Sequence, residues 1–194
     1  MTRRPRTLRP DYFETMYASD PDPWRFASSP YERFKYATTL AALPKPRYAK
    51  VFEVGCSIGV LTTQLASRCD SILAVDAAEV PLTEARSRCA SHAHARFERM
   101  YVPEQWPREN FDLILLSEIV YYLDARDVAR LAERVAEATA PGAAVILVHW
   151  IGETDYPLSG DEAAELFIAC MKPFAKVDLA DRHPEFRLDR LTRV

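Results

Sequence analysis

The stretch Val51-Phe-Glu-Val-Gly-Cys-Ser-Ile-Gly59 constrains the fold more than any other part of the chain. Lys50–Val54 has the apolar continuity of a buried strand, Leu61–Arg68 reads as a helix, and two glycines lie between them. A strand that turns through glycine into a helix opens a βαβ unit, and such units build parallel sheets. The rest of the chain repeats this alternation. Ser71–Val75 reads as a second strand, Pro81 to Ser91 as a helix and Ala95–Arg99 as a weaker strand. Phe111–Leu116 is the continuous apolar run of a central parallel strand. Asp124–Ala138 is an amphipathic helix closed by Pro141-Gly142, Ala143–Val148 a fifth strand, and Asp161–Met171 a helix after Gly160. Two last strands are expected near Val177 and over Phe186–Leu191. The fold class is therefore α/β, a doubly wound and mostly parallel sheet of seven strands.

A different texture precedes the sheet. Arg3, Arg4, Arg6 and Arg9, interrupted by prolines, read as a frayed, solvated tail. Pro10 to Ala18 is amphipathic, Ser19–Pro23 is a turn, and the aromatics Trp24, Phe26, Tyr31, Phe34 and Tyr36 follow closely. From Pro30 to Leu43 the pattern is helical, with Ser29 placed to cap it, Pro30 in its first turn and Pro44 to stop it. Residues 1–46 are expected to form a helical lid rather than an independent domain, over a single core of residues 47–194.

Composition narrows the function classes. With 48% hydrophobic residues the chain can bury a core, and its net charge of −3 disfavours a nucleic-acid binder. No apolar run approaches the roughly 20 residues that span a bilayer, and no apolar stretch follows the arginines as a leader would require. Cys56, Cys69, Cys89 and Cys170 are widely spaced without a CxxC pair, so neither a metal site nor a disulfide framework is expected. The expected setting is the cytoplasm.

In an open α/β sheet, ligands bind at the carboxyl ends of the strands near the switch point. Gly55 lets the backbone come close to a ligand there, and the helix that follows offers unpaired amides. Asp76 ends the second strand, where a carboxylate reaches the two hydroxyls of a ribose. A dinucleotide would want G-x-G-x-x-G. The spacing here is Gly55-x-x-x-Gly59, and Glu53 just before it repels a pyrophosphate but suits a cationic amino group. The combination favours S-adenosylmethionine (SAM) over a nicotinamide dinucleotide.

At these residues the chain resembles the class I SAM-dependent methyltransferases. Glu53–Gly59 matches the glycine loop, Ala74-Val-Asp76 the second-strand acid, Phe111–Glu118 the fourth strand, and Pro141-Gly142 the entry to the fifth. More narrowly it resembles the nodulation protein S group, through Asp20-Pro-Asp-Pro-Trp24, Ser29-Pro-Tyr-Glu32, Gly55–Leu61, Ser117–Leu123, His149-Trp150 and Asp155–Asp161. The resemblance covers roughly residues 11–190 and implies transfer of a methyl group to the free amine of a deacetylated chitooligosaccharide, an amino sugar. It implies a cofactor site of Glu53, Gly55, Cys56, Gly59, Asp76, Ala77 and Ser117, with S-adenosylhomocysteine (SAH) as product. Many class I enzymes carry an acid after the third strand for the adenine amine. Here Glu98-Arg-Met-Tyr-Val102 has no Asp, leaving Met100, Tyr101 and Val102 to bracket the ring.

The acceptor belongs above the ends of strands four and five. Glu118 is placed to receive a hydrogen bond or a proton from an acceptor ammonium, and Tyr121 and Tyr122 adjoin it. His149 ends the fifth strand and is the second candidate catalytic group. Trp24, Tyr31 and Tyr36 could stack on a sulfonium or a sugar, and Asp155 could pair with an amino group. Asp161 is read as a helix cap, and His92, His94 and His183 as solvated. Two other functions fit the same residues: O-methylation of a small metabolite, and SAM binding without turnover.

Overall fold

A computed structural model describes residues 2–194. Its strands are β1 (Tyr48–Val54), β2 (Cys69–Asp76), β3 (Ala95–Arg99), β4 (Phe111–Ser117), β5 (Thr139–Trp150), β6 (Ala175–Arg182) and β7 (Phe186–Arg193). They lie in the order β3-β2-β1-β4-β5-β7-β6. The first five are parallel, and β7 runs antiparallel between β5 and β6. The chain leaves β1 for β2 on one side and later pairs β4 on the other, so a crevice opens at the carboxyl ends of β1 and β4.

Helices cover both faces: α1 (Pro10–Ser19), α2 (Pro30–Ala41), α3 (Val60–Ala66), α4 (Glu79–Arg88), α5 (Ala125–Glu137) and α6 (Gly160–Met171). Strand alternation splits the core in two. Phe52, Ile114, Val145 and Leu147 pack with α5 and α6, whereas Val51, Leu113, Leu115 and Ile146 pack toward α2 and α3. In α5 the buried stripe is Val128, Leu131, Ala132, Val135 and Ala136, the spacing of one helical face. Truncating Leu131 to Ala would cost about 2–5 kcal/mol. None of the described helices is long and apolar enough to cross a membrane.

Several local expectations are corrected. The basic arm is clasped rather than frayed. Leu8 is buried and its N–H donates to the Tyr122 carbonyl at 2.9 Å. Thr7 Oγ1 donates to Asp127 at 2.7 Å and receives the Asp124 N–H, while Arg3 pairs with Glu162 and Arg4 with Asp155. Pro141-Gly142 lies inside β5, which begins at Thr139, and the pairing with β4 shifts register there. Ser159 rather than Asp161 caps α6, in a reciprocal pair with Glu162, and Asp161 instead binds Arg182 and Arg187. His94 and His183 are partly buried rather than solvated: His94 meets the Ala66 carbonyl and His183 stacks on Phe186.

Candidate functional site

One cavity opens at the carboxyl ends of β1, β2 and β4. Its cofactor-side wall contains Glu53, Gly55, Cys56, Asp76, Ala77, Met100, Tyr101, Val102 and Ser117, all of them anticipated from sequence. Gly55 has φ +80°, and a Cβ there would lie 2.3 Å from Ile119 Cγ2, so only glycine fits. Its N–H and that of Cys56 both donate to the Val75 carbonyl, at 2.8 and 3.0 Å, locking the loop onto β2. Gly59 does not line the cavity. Its φ is +78° and a Cβ would stand 2.9 Å from Ala85 Cα, so this glycine serves the close approach of α3 to α4.

Two buried carboxylates face the cavity from the sheet. Asp76 accepts N–H groups from Ser57 and Ala78, each at 3.0 Å, which fixes its orientation. Burial lifts it to about 6 despite those donors. Glu53 is 2% exposed, burial pushes it up to about 8, and its Oε2 has no hydrogen-bond partner. An unsatisfied buried carboxylate oxygen in a cavity wall fits a ligand ammonium. Asp76 fits a diol, so this donor set suits the methionine and ribose parts of SAM. Among the described residues, no group of three His, Cys, Asp or Glu side chains could hold a metal.

The other end of the cavity is built by α2 and the turn after β4. Glu118 has φ +59°, a strained conformation for a side-chain-bearing residue. Its Oε2 accepts the Tyr121 hydroxyl at 2.6 Å and the Trp150 N–H at 2.8 Å. Its Oε1 accepts Lys35 Nζ at 2.5 Å, and Lys35 also donates to Glu32 Oε1 at 2.9 Å. Lys35 is 2% exposed and Glu32 4%. Burial would raise Glu118, but Lys35 and the other donors hold it below the usual carboxylate range. Burial pushes Glu32 up, and Lys35 only partly opposes this. Although its own burial works the other way, the two carboxylates raise Lys35 and keep it cationic.

The remaining sequence candidates divide. Trp24 and Tyr122 line the cavity; Tyr31, Tyr121, Asp155 and His149 do not. Tyr31 packs edge-on against Trp150 at 5.5 Å, with Lys35 Nζ 5.0 Å above its ring. Tyr121 donates to Glu118 from behind the wall, and Asp155 pairs with Arg4 at 3.0 Å. His149 alternates with Val148 and points to the face that α6 covers. It is fully buried, its Nε2 accepts the Val120 N–H at 3.2 Å, and burial lowers it to about 4. It is a neutral residue of the packed interior and meets no acceptor here. Tyr36, a third stacking candidate, also lines the cavity, whereas sequence reasoning missed Glu32, Lys35, Tyr17 and Phe26 in the wall. The usable signal was the polar row Glu32, Lys35, Tyr36 and Thr39 at helical spacing, next to an exposed Phe34.

This strand order, with a glycine loop at β1 and acids at the ends of β1 and β2, defines the Rossmann-like fold of class I methyltransferases. The family model of nodulation protein S (NodS) matches residues 11–142. The chain belongs to the nodulation protein S family. Nodulation protein S of Rhizobium tropici is 32% identical over 123 residues, which are 62% of this chain and 52% of that protein. The chain thus spans about half the length of the curated relatives it matches. The N-methyltransferase NodS from Bradyrhizobium japonicum WM9, solved with SAH, superposes with a TM-score of 0.82 at 20% identity. That match covers 94% of this chain and 97% of the solved one. A candidate methyltransferase of Pseudomonas syringae is 36% identical with a TM-score of 0.72, covering 84% and 99% of the two chains.

Proposed function

We propose that this chain is a SAM-dependent methyltransferase that N-methylates the primary amine of a small molecule, with an amino sugar as the first acceptor to test. One observation carries the reading. A single cavity has Glu53 and Asp76 at one end and the ionised Glu118, tied to Lys35 and Glu32, at the other. The first end suits the amino group and ribose of SAM; the second suits a cation. That a solved relative in the same family is an N-methyltransferase holding SAH supports it.

SAM, when bound, supplies a methyl group on a cationic sulfur. The chain's own residues supply position and charge, which carry most of the catalysis in an in-line displacement. Glu53 would hold the amino group, Asp76 the ribose hydroxyls, and Met100 to Val102 the adenine. Glu118 would fix the anionic end of the acceptor pocket, between the aromatic walls of Trp24, Phe26, Tyr36 and Tyr122. The segment before residue 47 would serve as a lid over a core of residues 47–194, a reading supported by Leu8, Tyr17, Trp24 and Glu32 bordering the cavity.

The first experiment is calorimetric titration with SAM and SAH, with NAD as control. Micromolar binding of both sulfur nucleosides and none of NAD is expected. Methyl transfer to glucosamine and chitosan oligomers should follow, and their N-acetyl forms should not respond. Absence of SAM and SAH binding would overturn the class; transfer to hydroxyls with no amine responding would overturn the acceptor.

A further inference from the structure

We propose that Glu32, on the lid helix, is the catalytic residue that binds the acceptor ammonium and removes its proton, while Lys35 and Glu118 hold it in place. This rests on the amine-methylating reading above and adds a residue to it.

The placement of oxygens carries the inference. Three carboxylate oxygens around Lys35 are committed: Glu118 Oε1 and Glu32 Oε1 to Lys35 itself, and Glu118 Oε2 to the Tyr121 hydroxyl and Trp150 N–H. The fourth, Glu32 Oε2, is buried with no hydrogen-bond partner, and Glu32 borders the cavity. Leaving a buried carboxylate oxygen unpaired costs free energy that an incoming N–H donor recovers. The two carboxylates and one ammonium also carry a net charge of −1 when ionised. A cationic acceptor brings that cluster to neutrality, whereas a neutral hydroxyl or an acetylated amine does not.

An ammonium has no lone pair and cannot attack a methyl group. The step assigned to Glu32 is a proton transfer: one N–H bond of the acceptor breaks, an O–H bond forms on Oε2, and the electron pair stays on nitrogen. The neutral amine is then the nucleophile for the sulfonium methyl group, and the methylated product leaves as an ammonium. Two carboxylates whose surroundings push their proton affinities apart divide acid–base work in this way. Glu118, with three donors, stays ionised and anchors Lys35; Glu32 is raised above the usual carboxylate range by burial, which Lys35 and the Tyr36 hydroxyl only partly oppose. The titratable groups facing Glu32 are Tyr31, Lys35 and Tyr36 on its own helix and Glu118 from the far wall.

The test is radiolabelled methyl transfer from SAM to glucosamine, a chitosan tetramer and ethanolamine, each beside its N-acetyl counterpart. The best amine is then followed across about pH 6 to 9 with the wild type and Glu32→Gln. The wild type should show an acidic limb below the acceptor's own amine titration. Glu32→Gln should lose about a hundredfold in kcat/KM at the acidic end. That deficit should shrink as pH rises and free amine becomes available, with SAH affinity unchanged. Equal loss at every pH with the acidic limb intact would mark Glu32 as merely structural, and wild-type rates in Glu32→Gln would overturn the proposal outright. Should Glu32→Gln fail to bind SAH, Glu32→Asp and the wild-type profile decide. A limb preserved at lower rate in Glu32→Asp supports the assignment; a wild-type limb lying at the amine's own titration overturns it. If wild type binds SAH but methylates no amine, the acceptor reading itself has failed, before any variant is compared.

Discussion

The two ends of the cavity are made differently. The cofactor end is assembled from strand tips and tight turns between residues 53 and 102, whose positions follow from parallel register: Glu53 pairs with Ala74, and Asp76 with Arg99. The acceptor end is assembled from side chains on a docked helix, with Lys35 and Glu118 lying 83 residues apart in sequence. Backbone hydrogen bonds hold the first end, and a desolvated ion cluster holds the second. The first should therefore tolerate the loss of a side chain with its fold intact, losing only ligand. The second should lose stability and turnover together when its charge balance is broken.

Lys35→Met is the severest break. Removing the cation leaves Glu32 and Glu118 buried at 4% exposure and 14% side-chain exposure with no counter-charge. Breaking a buried pair from one side costs about 3–5 kcal/mol. Without Lys35 both carboxylates are raised above their unfolded values, so the folded state binds protons more tightly. Its stability is then greatest at low pH and is lost as pH rises. Urea unfolding should show a larger deficit at pH 8 than at pH 5; a deficit independent of pH would mean that the cluster is not electrostatically coupled.

Asp76→Ala should act on the other end. Losing a two-point contact to a ribose costs at least ~1.5–3 kcal/mol, about tenfold to hundredfold in SAM affinity. The acidic limb of the rate profile should survive, because Glu32 and Lys35 are untouched. Calorimetry and a pH–rate profile on one sample read both quantities. Unchanged affinity would remove Asp76 from the cofactor site.

The same contrast explains what the sequence made legible. Strand order, the glycine loop and Asp76 could be read because each lies in a short segment whose pattern has one physical meaning. The acceptor cluster was hidden because a Glu-x-x-Lys pair on a helix ordinarily faces water. Here α2 turns that polar row inward and exposes Phe34 instead, at 54%. The orientation is set by Ser29 capping the helix, by Tyr31 against Trp150 and Phe186, and by Glu118 beyond reach of any local pattern. Gly59 misled in the opposite way: its spacing suits a ligand loop, yet the contact that requires it is with Ala85. The basic arm looked solvated because its partners, Asp127, Asp155 and Glu162, lie more than a hundred residues away.

Glu53 offers a quieter probe of the cofactor end. Burial holds it near 8, so at neutral pH it is largely protonated in the free protein. A ligand ammonium stabilises the charged form. SAM binding at pH 7 should therefore release close to one proton, read as a dependence of the binding enthalpy on buffer ionisation. Glu53→Gln should abolish that release. SAM binding without proton release would mean that Glu53 does not meet the amino group.

The smallest effect belongs to His149, the residue whose position at a strand end made it look catalytic. Its Nε2 is taken by the Val120 N–H, its ring packs 5.4 Å from that of Tyr121, and it is absent from the cavity wall. Gln at this position can keep an acceptor for Val120. His149→Gln is thus expected to lose about 1 kcal/mol of stability and change kcat less than threefold. The pH dependence of stability has a definite sign. A histidine lowered from 6.5 to about 4 in the fold is charged more readily when unfolded, so its contribution is lost as pH falls from about 6.5 toward 4. His149→Gln should flatten that part of the stability curve and leave the acidic limb of the rate profile where it was. Movement of the rate limb instead would place the proton acceptor on β5, and the division between a strand-built cofactor end and a helix-built acceptor end would no longer hold.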